Sequence, residues 1–174
     1  VVGHVGRFMA QKNHTFLIDI FAKIVAEEPN SRLLLIGNGG RFEEIKEKVN
    51  ALNLSDSVIF AGVRADIPDL MQAMNVFALP SLYEGLPVTM VEAQASGLPC
   101  IISDKVPPEC ILTEGLVDVM PLSASPETWA EKILAKRAIP RTDRRAEIAA
   151  HGFDITTEAV KLQEFYLKAY EQNC

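Results

Sequence analysis

Two carboxylates and a glycine between residues 80 and 97 form the most suggestive pattern in the sequence. Glu84 and Gly85 lie in a loop after an apolar run, and Glu92 lies in the following segment, which has helical spacing. Backbone N–H groups at a strand-to-helix turn attract anions, and carboxylates accept hydrogen bonds from hydroxyl groups. The pattern therefore suits a ligand that carries both phosphate and sugar.

The same stretch has a simpler interpretation. Pro87 is typical of the first turn of a helix, and Gly97 is typical of a helix end. Glu84 and Glu92 would then be solvated acids around a capped helix. On spacing alone, this simpler interpretation is favoured.

Two cations near the N-terminus could bind the phosphate. Arg7 and Lys12 follow the first apolar run, and Gly6 would let the loop backbone approach a ligand closely. An arginine grips two oxygens in a plane, whereas a lysine supplies a flexible point charge. Either residue alone would be an ordinary surface cation, but the two together suit a diphosphate if they face the turn at Gly85.

Apolar runs alternate with amphipathic segments, which predicts one α/β domain over residues 1–174, with a doubly wound, Rossmann-like parallel sheet and helices on both faces. We expect about six strands in the order 3-2-1-4-5-6. Ligands of such sheets bind at the carboxyl ends of the strands beside the switch point, here between strands one and four. This order brings Arg7 and Lys12 into one crevice with Glu84 and Gly85. The last three helices are expected over residues 126–138, 141–150 and 156–170.

The composition is that of a globular domain, because 48% of the residues are hydrophobic. The net charge of −6 argues against a nucleic-acid surface. The three cysteines, Cys100, Cys110 and Cys174, form no C-x-x-C pair and share no zinc spacing with the histidines, so no metal site is expected. They indicate a reducing, cytoplasmic setting.

Two basic clusters near the C-terminus are interpreted as solvated faces of helices, with attachment to a membrane surface as a weaker alternative. They consist of Lys132, Lys136 and Arg137, and of Arg141, Arg144 and Arg145.

Other sequence motifs for nucleotide binding or catalysis are incomplete or absent. Gly37-x-Gly39-Gly40 follows the second predicted strand and lacks the third glycine of a dinucleotide-binding fingerprint, so it predicts a tight turn beside the ligand. The sequence contains no P-loop, no G-x-S-x-G and no H-E-x-x-H.

Several short motifs occur in a specific order and spacing along nearly the whole chain. They are Gly6-Arg7 with Lys12, Leu35-Ile36-Gly37-Asn38-Gly39, Phe60-Ala61-Gly62, Pro80-Ser81 with Glu84-Gly85, the Glu84/Glu92 pair, and Ala95-x-Gly97-Leu98-Pro99. Together they resemble the C-terminal, donor-binding domain of retaining family 4 (group 1) glycosyltransferases of the GT-B fold. The similarity is strongest to bacterial enzymes of capsular or exopolysaccharide synthesis. It implies transfer of a sugar from a UDP- or GDP-linked donor to a glycan or lipid-linked acceptor, without a bound metal.

The resemblance also implies a role for each matching residue. Arg7 and Lys12 would hold the donor diphosphate, Glu84 would lie near the transferred sugar, and Glu92 would bind the ribose hydroxyls. The remaining donor contacts would be made by Gly6, by the backbone of Val63 and Arg64 at the base, by Gly39 beside the nucleotide, and by the N–H groups of Gly85 and Leu86.

The family's N-terminal, acceptor-binding domain is absent from this sequence, which we interpret as a fragment that lacks its upstream part. Such a fragment is expected to bind nucleotide weakly and to transfer no sugar alone. The resemblance further implies that the helix at 155–172 crosses to the missing domain, so we expect an exposed apolar face around Phe165, Tyr166 and Tyr170. The full-length enzyme would work in the cytoplasm, with peripheral attachment to the inner face of the cell membrane as an alternative.

Two other functions stay open at this point. A sugar-nucleotide 2-epimerase could have the same fold but would need a different acid–base set. A non-catalytic, flavodoxin-like binding module would show no preference for sugar nucleotides over free phosphate or flavin.

Overall fold

Six short apolar runs form one parallel sheet in the computed structural model, which describes residues 1–172. The strands are β1 (Val2–Val5), β2 (Leu33–Ile36), β3 (Val58–Gly62), β4 (Val76–Leu79), β5 (Cys100–Ser103) and β6 (Val117–Met120). Their order is β3-β2-β1-β4-β5-β6, which confirms the predicted doubly wound order. Cys174 lies outside the described residues.

Seven α-helices connect or follow the strands. They are α1 (His14–Glu27), α2 (Phe42–Ala51), α3 (Ile67–Gln72), α4 (Val88–Ala95), α5 (Pro126–Lys136), α6 (Arg145–Ile148) and α7 (Ile155–Gln172). A π-helical turn, Ala149–Phe153, joins the last two, and Gly152 kinks it with a φ of 82°. The predicted helix over residues 141–150 is therefore wrong at its start, where residues 141–144 are not helical.

The sheet is covered on both faces because four of its strands are buried on both sides. Leu33 and Leu35 pack with α1, α2 and α5 on one face, whereas Leu34 and Ile36 pack with α3 and α4 on the other. Alternate residues of one strand thus enter opposite cores, as strand geometry requires.

The neighbouring position of β1 and β4 decides where the loops meet. Val2 pairs with Val76 and Gly3 with Phe77 in a parallel register. A Cβ atom on Gly3 would lie 2.0 Å from the Met74 sulfur, so the glycine lets the segment before β4 approach β1. Because both strands run the same way, the loops that follow them emerge at the same edge.

The interpretation of the basic clusters as solvated helix faces is wrong for two residues. Lys136 is buried, and its ammonium lies 2.9 Å from the Asp118 carboxylate. The Arg141 guanidinium donates to the backbone carbonyls of Met71 (2.6 Å) and Met74, which holds residue 141 against the end of α3.

The last helix, α7, has no buried side chain. Phe165, Tyr166 and Tyr170 are 63%, 64% and 71% exposed, which confirms the predicted exposed apolar face. That this helix crosses to another domain stays a prediction. Within residues 1–172, no helix has the length and apolarity needed to cross a membrane.

Candidate functional site

The turn between β4 and α4 leaves two backbone donors unused. The N–H groups of Gly85 and Leu86 make no hydrogen bond within residues 1–172. A Cβ atom on Gly85 would meet nothing within 4 Å, and its φ is not positive, so neither packing nor backbone strain requires a glycine. Pro87 lies immediately before α4 rather than inside its first turn. Unused N–H groups just before a helix form a favourable place for an anion.

The β1–α1 loop rests on a buried aromatic cluster. The Phe8 ring stacks on His14 with centroids 4.2 Å apart, and His14 meets His4 edge-on at 4.6 Å. The Nδ1 atom of His4 lies 2.9 Å from the Ala78 carbonyl oxygen and must donate to it, because a carbonyl only accepts. Burial lowers the pKa of His4 to about 4 and that of His14 to about 2. Both imidazoles are therefore neutral, and the cluster fixes the base of the loop without charge.

The β1–α1 and β4–α4 loops meet at what we call the loop junction, which consists of Gln11, Lys12, Leu82, Tyr83 and Glu84. The Lys12 ammonium lies 2.6 Å from Glu84 Oε1, and the Gln11 amide donates to Glu84 Oε2 at 3.2 Å. The same amide donates to the Tyr83 carbonyl at 3.0 Å, and the Leu82 N–H donates to the Gln11 carbonyl at 2.8 Å. The side chains of Lys12 and Glu84 are only 15% and 6% exposed, so this is a nearly buried ion pair.

A cleft of about 390 Å³ opens beside the junction, at the carboxyl ends of β1, β2 and β3. We call it the end cleft, and it is lined by Val5, Gly6, Arg7, Ile36, Gly37, Asn38, Val63, Arg64 and Ile67. The Arg7 guanidinium is exposed and has no hydrogen bond or ion pair within residues 1–172. Arg64 is held by both oxygens of Asp66. The cleft thus offers an unpaired guanidinium between a glycine-rich backbone and apolar walls.

Packing requires two glycines at this edge and leaves little room at a third. A Cβ atom on Gly39 would lie 2.6 Å from the Phe8 carbonyl oxygen, and one on Gly37 would lie 2.1 Å from the Gly6 carbonyl oxygen. Gly37 also has a φ of +136°. A Cβ atom on Gly6 would come within 3.1 Å of the Lys12 side chain. The close fit of the β2–α2 turn against the β1–α1 loop is a structural reason for Gly39 that the sequence did not reveal.

Glu92 lies apart from the junction contacts. It borders a second cavity of about 540 Å³, together with Pro68, Gln72 and Arg141. Burial raises the pKa of its carboxyl above the ordinary value. The carboxylate has no ion-pair partner within the described part of the chain. The Glu84/Glu92 pair is therefore split between a paired, buried carboxylate and an unpaired one.

The structure brings together most of the residues that the sequence singled out. Lys12 contacts Glu84 directly, and Gly6, Arg7, Val63 and Arg64 share the end cleft.

Sequence reasoning missed three polar side chains of this region, Gln11, His4 and His14. Gln11 stands next to Lys12 in the sequence, and the two histidines flank the segment that carries Arg7 and Lys12. That adjacency was the available signal, but nothing in it shows the contact across to β4.

Chemically, the arrangement can hold a diphosphate. It supplies an unpaired guanidinium, an ammonium on a flexible chain, and two free backbone donors close to a helix N-terminus. These are the features that stabilise negative charge on phosphate oxygens.

Comparison with known proteins gives the family. The protein-family model described as "Glycosyl transferases group 1" matches residues 1–136 of this chain. EpsF of Bacillus subtilis strain 168, named as a glycosyltransferase, is 40% identical over 169 residues, which are 95% of this chain and 44% of EpsF. An Escherichia coli UDP-Gal:alpha-D-GlcNAc-diphosphoundecaprenol alpha-1,3-galactosyltransferase is 38% identical over 104 residues, covering 58% of this chain and 27% of that enzyme.

A solved structure is similar over almost the whole chain. HepE of Anabaena, crystallised with UDP-glucose, superposes with a TM-score of 0.76 at 26% identity, over 96% of this chain and 48% of HepE. The chain thus spans less than half the length of each of these three relatives. By its sequence match and its fold, the chain belongs to the group 1 glycosyltransferase family.

Proposed function

We propose that this chain forms the donor-binding part of a glycosyltransferase that transfers a sugar from a nucleoside diphosphate sugar to a glycan or lipid-linked acceptor in polysaccharide biosynthesis. The observation that carries the proposal is the contact between Lys12 and Glu84 beside the end cleft. It brings together, at one edge of the sheet, the cation proposed to bind the phosphate and the carboxylate proposed to bind the sugar. The family assignment favours this function over the epimerase-like and flavodoxin-like alternatives.

In this proposal the diphosphate lies between Arg7, Lys12 and the free N–H groups of Gly85 and Leu86. These groups would stabilise the charge that develops on the departing nucleoside diphosphate. Glu84 would accept hydrogen bonds from the sugar, and Glu92 would accept them from the ribose hydroxyls. The backbone of Val63 and Arg64 would contact the base in the end cleft. Gly6 would keep that cleft open, and Gly39 would leave room beside the nucleotide.

UDP is the nucleotide on which we base the test. HepE was crystallised with UDP-glucose, and the Escherichia coli relative is named for a UDP-galactose donor. GDP remains the second candidate, because the contacts proposed for the base are mostly to backbone atoms. The acceptor would bind through parts of the enzyme outside this chain, so the chain alone is expected to transfer no sugar.

Calorimetric titration with UDP, GDP and FMN tests the proposal. We expect saturable, weak binding of UDP or GDP and no comparable binding of FMN. Inorganic phosphate at the same ionic strength is the control for nonspecific anion binding. Equal affinity for FMN, or for phosphate and UDP alike, would contradict the proposal.

A further inference from the structure

In the proposed function, Lys12 has two partners, the Glu84 carboxylate and the donor diphosphate. In the structure its ammonium lies 2.6 Å from Glu84 Oε1, in a pair that is nearly buried on both sides. A diphosphate that binds Lys12 must draw the ammonium toward its own oxygens. The lysine side chain is long and flexible enough for such a movement.

The movement would leave the Glu84 carboxylate without its cationic partner. Its side chain is only 6% exposed, and a buried carboxylate without a partner is strongly unfavourable. The binding of the diphosphate would therefore be weakened by whatever free energy Glu84 loses. A second donor on the same carboxylate reduces that loss.

Gln11 is that second donor. Its amide donates to Glu84 Oε2, the oxygen that Lys12 does not use. Because Gln11 is neutral, it does not compete with Lys12 for a phosphate.

Gln11 is also held independently of Lys12. Its side-chain amide donates to the Tyr83 backbone carbonyl, and its backbone carbonyl accepts a hydrogen bond from the Leu82 N–H at 2.8 Å. These contacts tie Gln11 to the β4–α4 loop, which carries Glu84, and none of them involves the Lys12 ammonium.

We infer that Gln11 is a positioning residue: it holds Glu84 in place while Lys12 passes from Glu84 to the donor diphosphate. This inference rests on the proposed function of the site. It predicts that Gln11 matters only for ligands that engage Lys12, and only while residue 84 is a carboxylate.

A double-mutant cycle on the 174-residue chain tests this. UDP is titrated into the unmodified chain, Gln11→Leu, Glu84→Gln and the double variant. We expect Gln11→Leu to weaken UDP binding by up to about tenfold, because its hydrogen bond supports Glu84 more strongly once the ammonium has moved to the diphosphate than while Lys12 still pairs with Glu84. In the Glu84→Gln background, the same change should weaken binding less than about twofold, because the carboxylate that needs support is gone.

A second ligand and a control variant separate positioning from general structural damage. Uridine has no phosphate, so its affinity, followed by NMR chemical shifts, should be unchanged in Gln11→Leu. Gln163→Leu makes the same chemical change on the exposed surface of α7 and should leave both affinities unchanged. Gln11→Met is the second variant should Gln11→Leu fail to fold.

A charge swap sharpens the result. Gln11→Glu alone places two carboxylates around Lys12 and should weaken UDP binding more than Gln11→Leu does. Adding Glu84→Gln restores a donor–acceptor pair with reversed roles and should recover part of the affinity.

The outcomes also separate the inference from the proposed function. If Gln11→Leu weakens UDP by the same factor in both backgrounds, or weakens uridine equally, Gln11 has only a structural role and the inference is wrong while the proposed function stands. If the unmodified chain binds no UDP or GDP, both are wrong.

Discussion

Polar side chains are buried at the loop junction, whereas apolar side chains are exposed on α7. The Glu84 side chain is 6% exposed and Tyr170 is 71% exposed, the reverse of what their residue types suggest. At the junction, each buried polar group has a partner from the opposite loop. On α7, no described side chain is buried.

The burial of a side chain therefore depends on the partners that the fold supplies, and not on the residue type alone. Two loops that leave neighbouring parallel strands close over Glu84 and satisfy both of its oxygens. The final helix follows a kinked π-turn and, within residues 1–172, buries none of its side chains.

Removal of both cations should have the largest effect. Arg7→Ala combined with Lys12→Ala should weaken UDP binding by about 3 kcal/mol, because two charge-assisted contacts to the diphosphate are lost. Calorimetric titration measures the change. Lys46→Ala combined with Lys168→Ala removes the same formal charge from exposed helix positions and is the matched control. If the two double variants lose affinity equally, the site lies elsewhere.

Two ion pairs of similar length test whether burial gives the junction its importance. Glu84→Ala should lower the free energy of unfolding by about 2 kcal/mol, because Lys12 loses its partner in a nearly buried position. Glu127→Ala breaks the 2.7 Å pair with Lys23, in which both side chains are about half exposed, and should change stability by less than about 0.5 kcal/mol. Urea denaturation measures both. Similar losses would show that burial is not decisive.

The histidines beneath the β1–α1 loop should make stability depend on pH. The unfolded imidazoles take up protons near pH 6.5, but burial lowers the pKa of His4 to about 4 and that of His14 to about 2. The unfolded chain therefore binds more protons, and stability should fall by about 1.5 kcal/mol per histidine between pH 6.5 and about pH 5.

Urea denaturation across this pH range measures the slope. His14→Phe keeps a ring stacked on Phe8 and should make the slope shallower. An unchanged slope in this variant would assign the pH dependence to other groups.

Substitution on the exposed helix should have the smallest effect. Phe165→Ala should change the free energy of unfolding by less than about 0.5 kcal/mol, because the ring is 63% exposed. Phe21→Ala, in the core on α1, should cost about 4 kcal/mol. Thermal or urea unfolding of both variants gives the comparison. A large loss from Phe165→Ala would mean that α7 is packed in solution.

The sequence pattern predicted the observed strand order, and it singled out candidate site residues in the loops that meet at one edge of the sheet. Short continuous apolar runs such as Leu33–Ile36 are typical of strands buried on both faces, and their alternation with amphipathic segments leaves few topologies. The order in turn places the loops after β1 and β4 at one edge, which is why Arg7, Lys12 and Glu84 could be grouped before any coordinates were known.

Which of these side chains contact one another, and which are buried, depends on the tertiary structure. Gln11 and Glu84 are 73 positions apart, and the sequence carries no signal of a hydrogen bond across that distance. In the sequence, Lys136 has the features of an ordinary surface lysine, and its ion pair with Asp118 is visible only in the folded structure. Periodicity reports which face of an element is apolar, whereas the pairing of polar side chains depends on how loops close, and that depends on the packing of the whole domain.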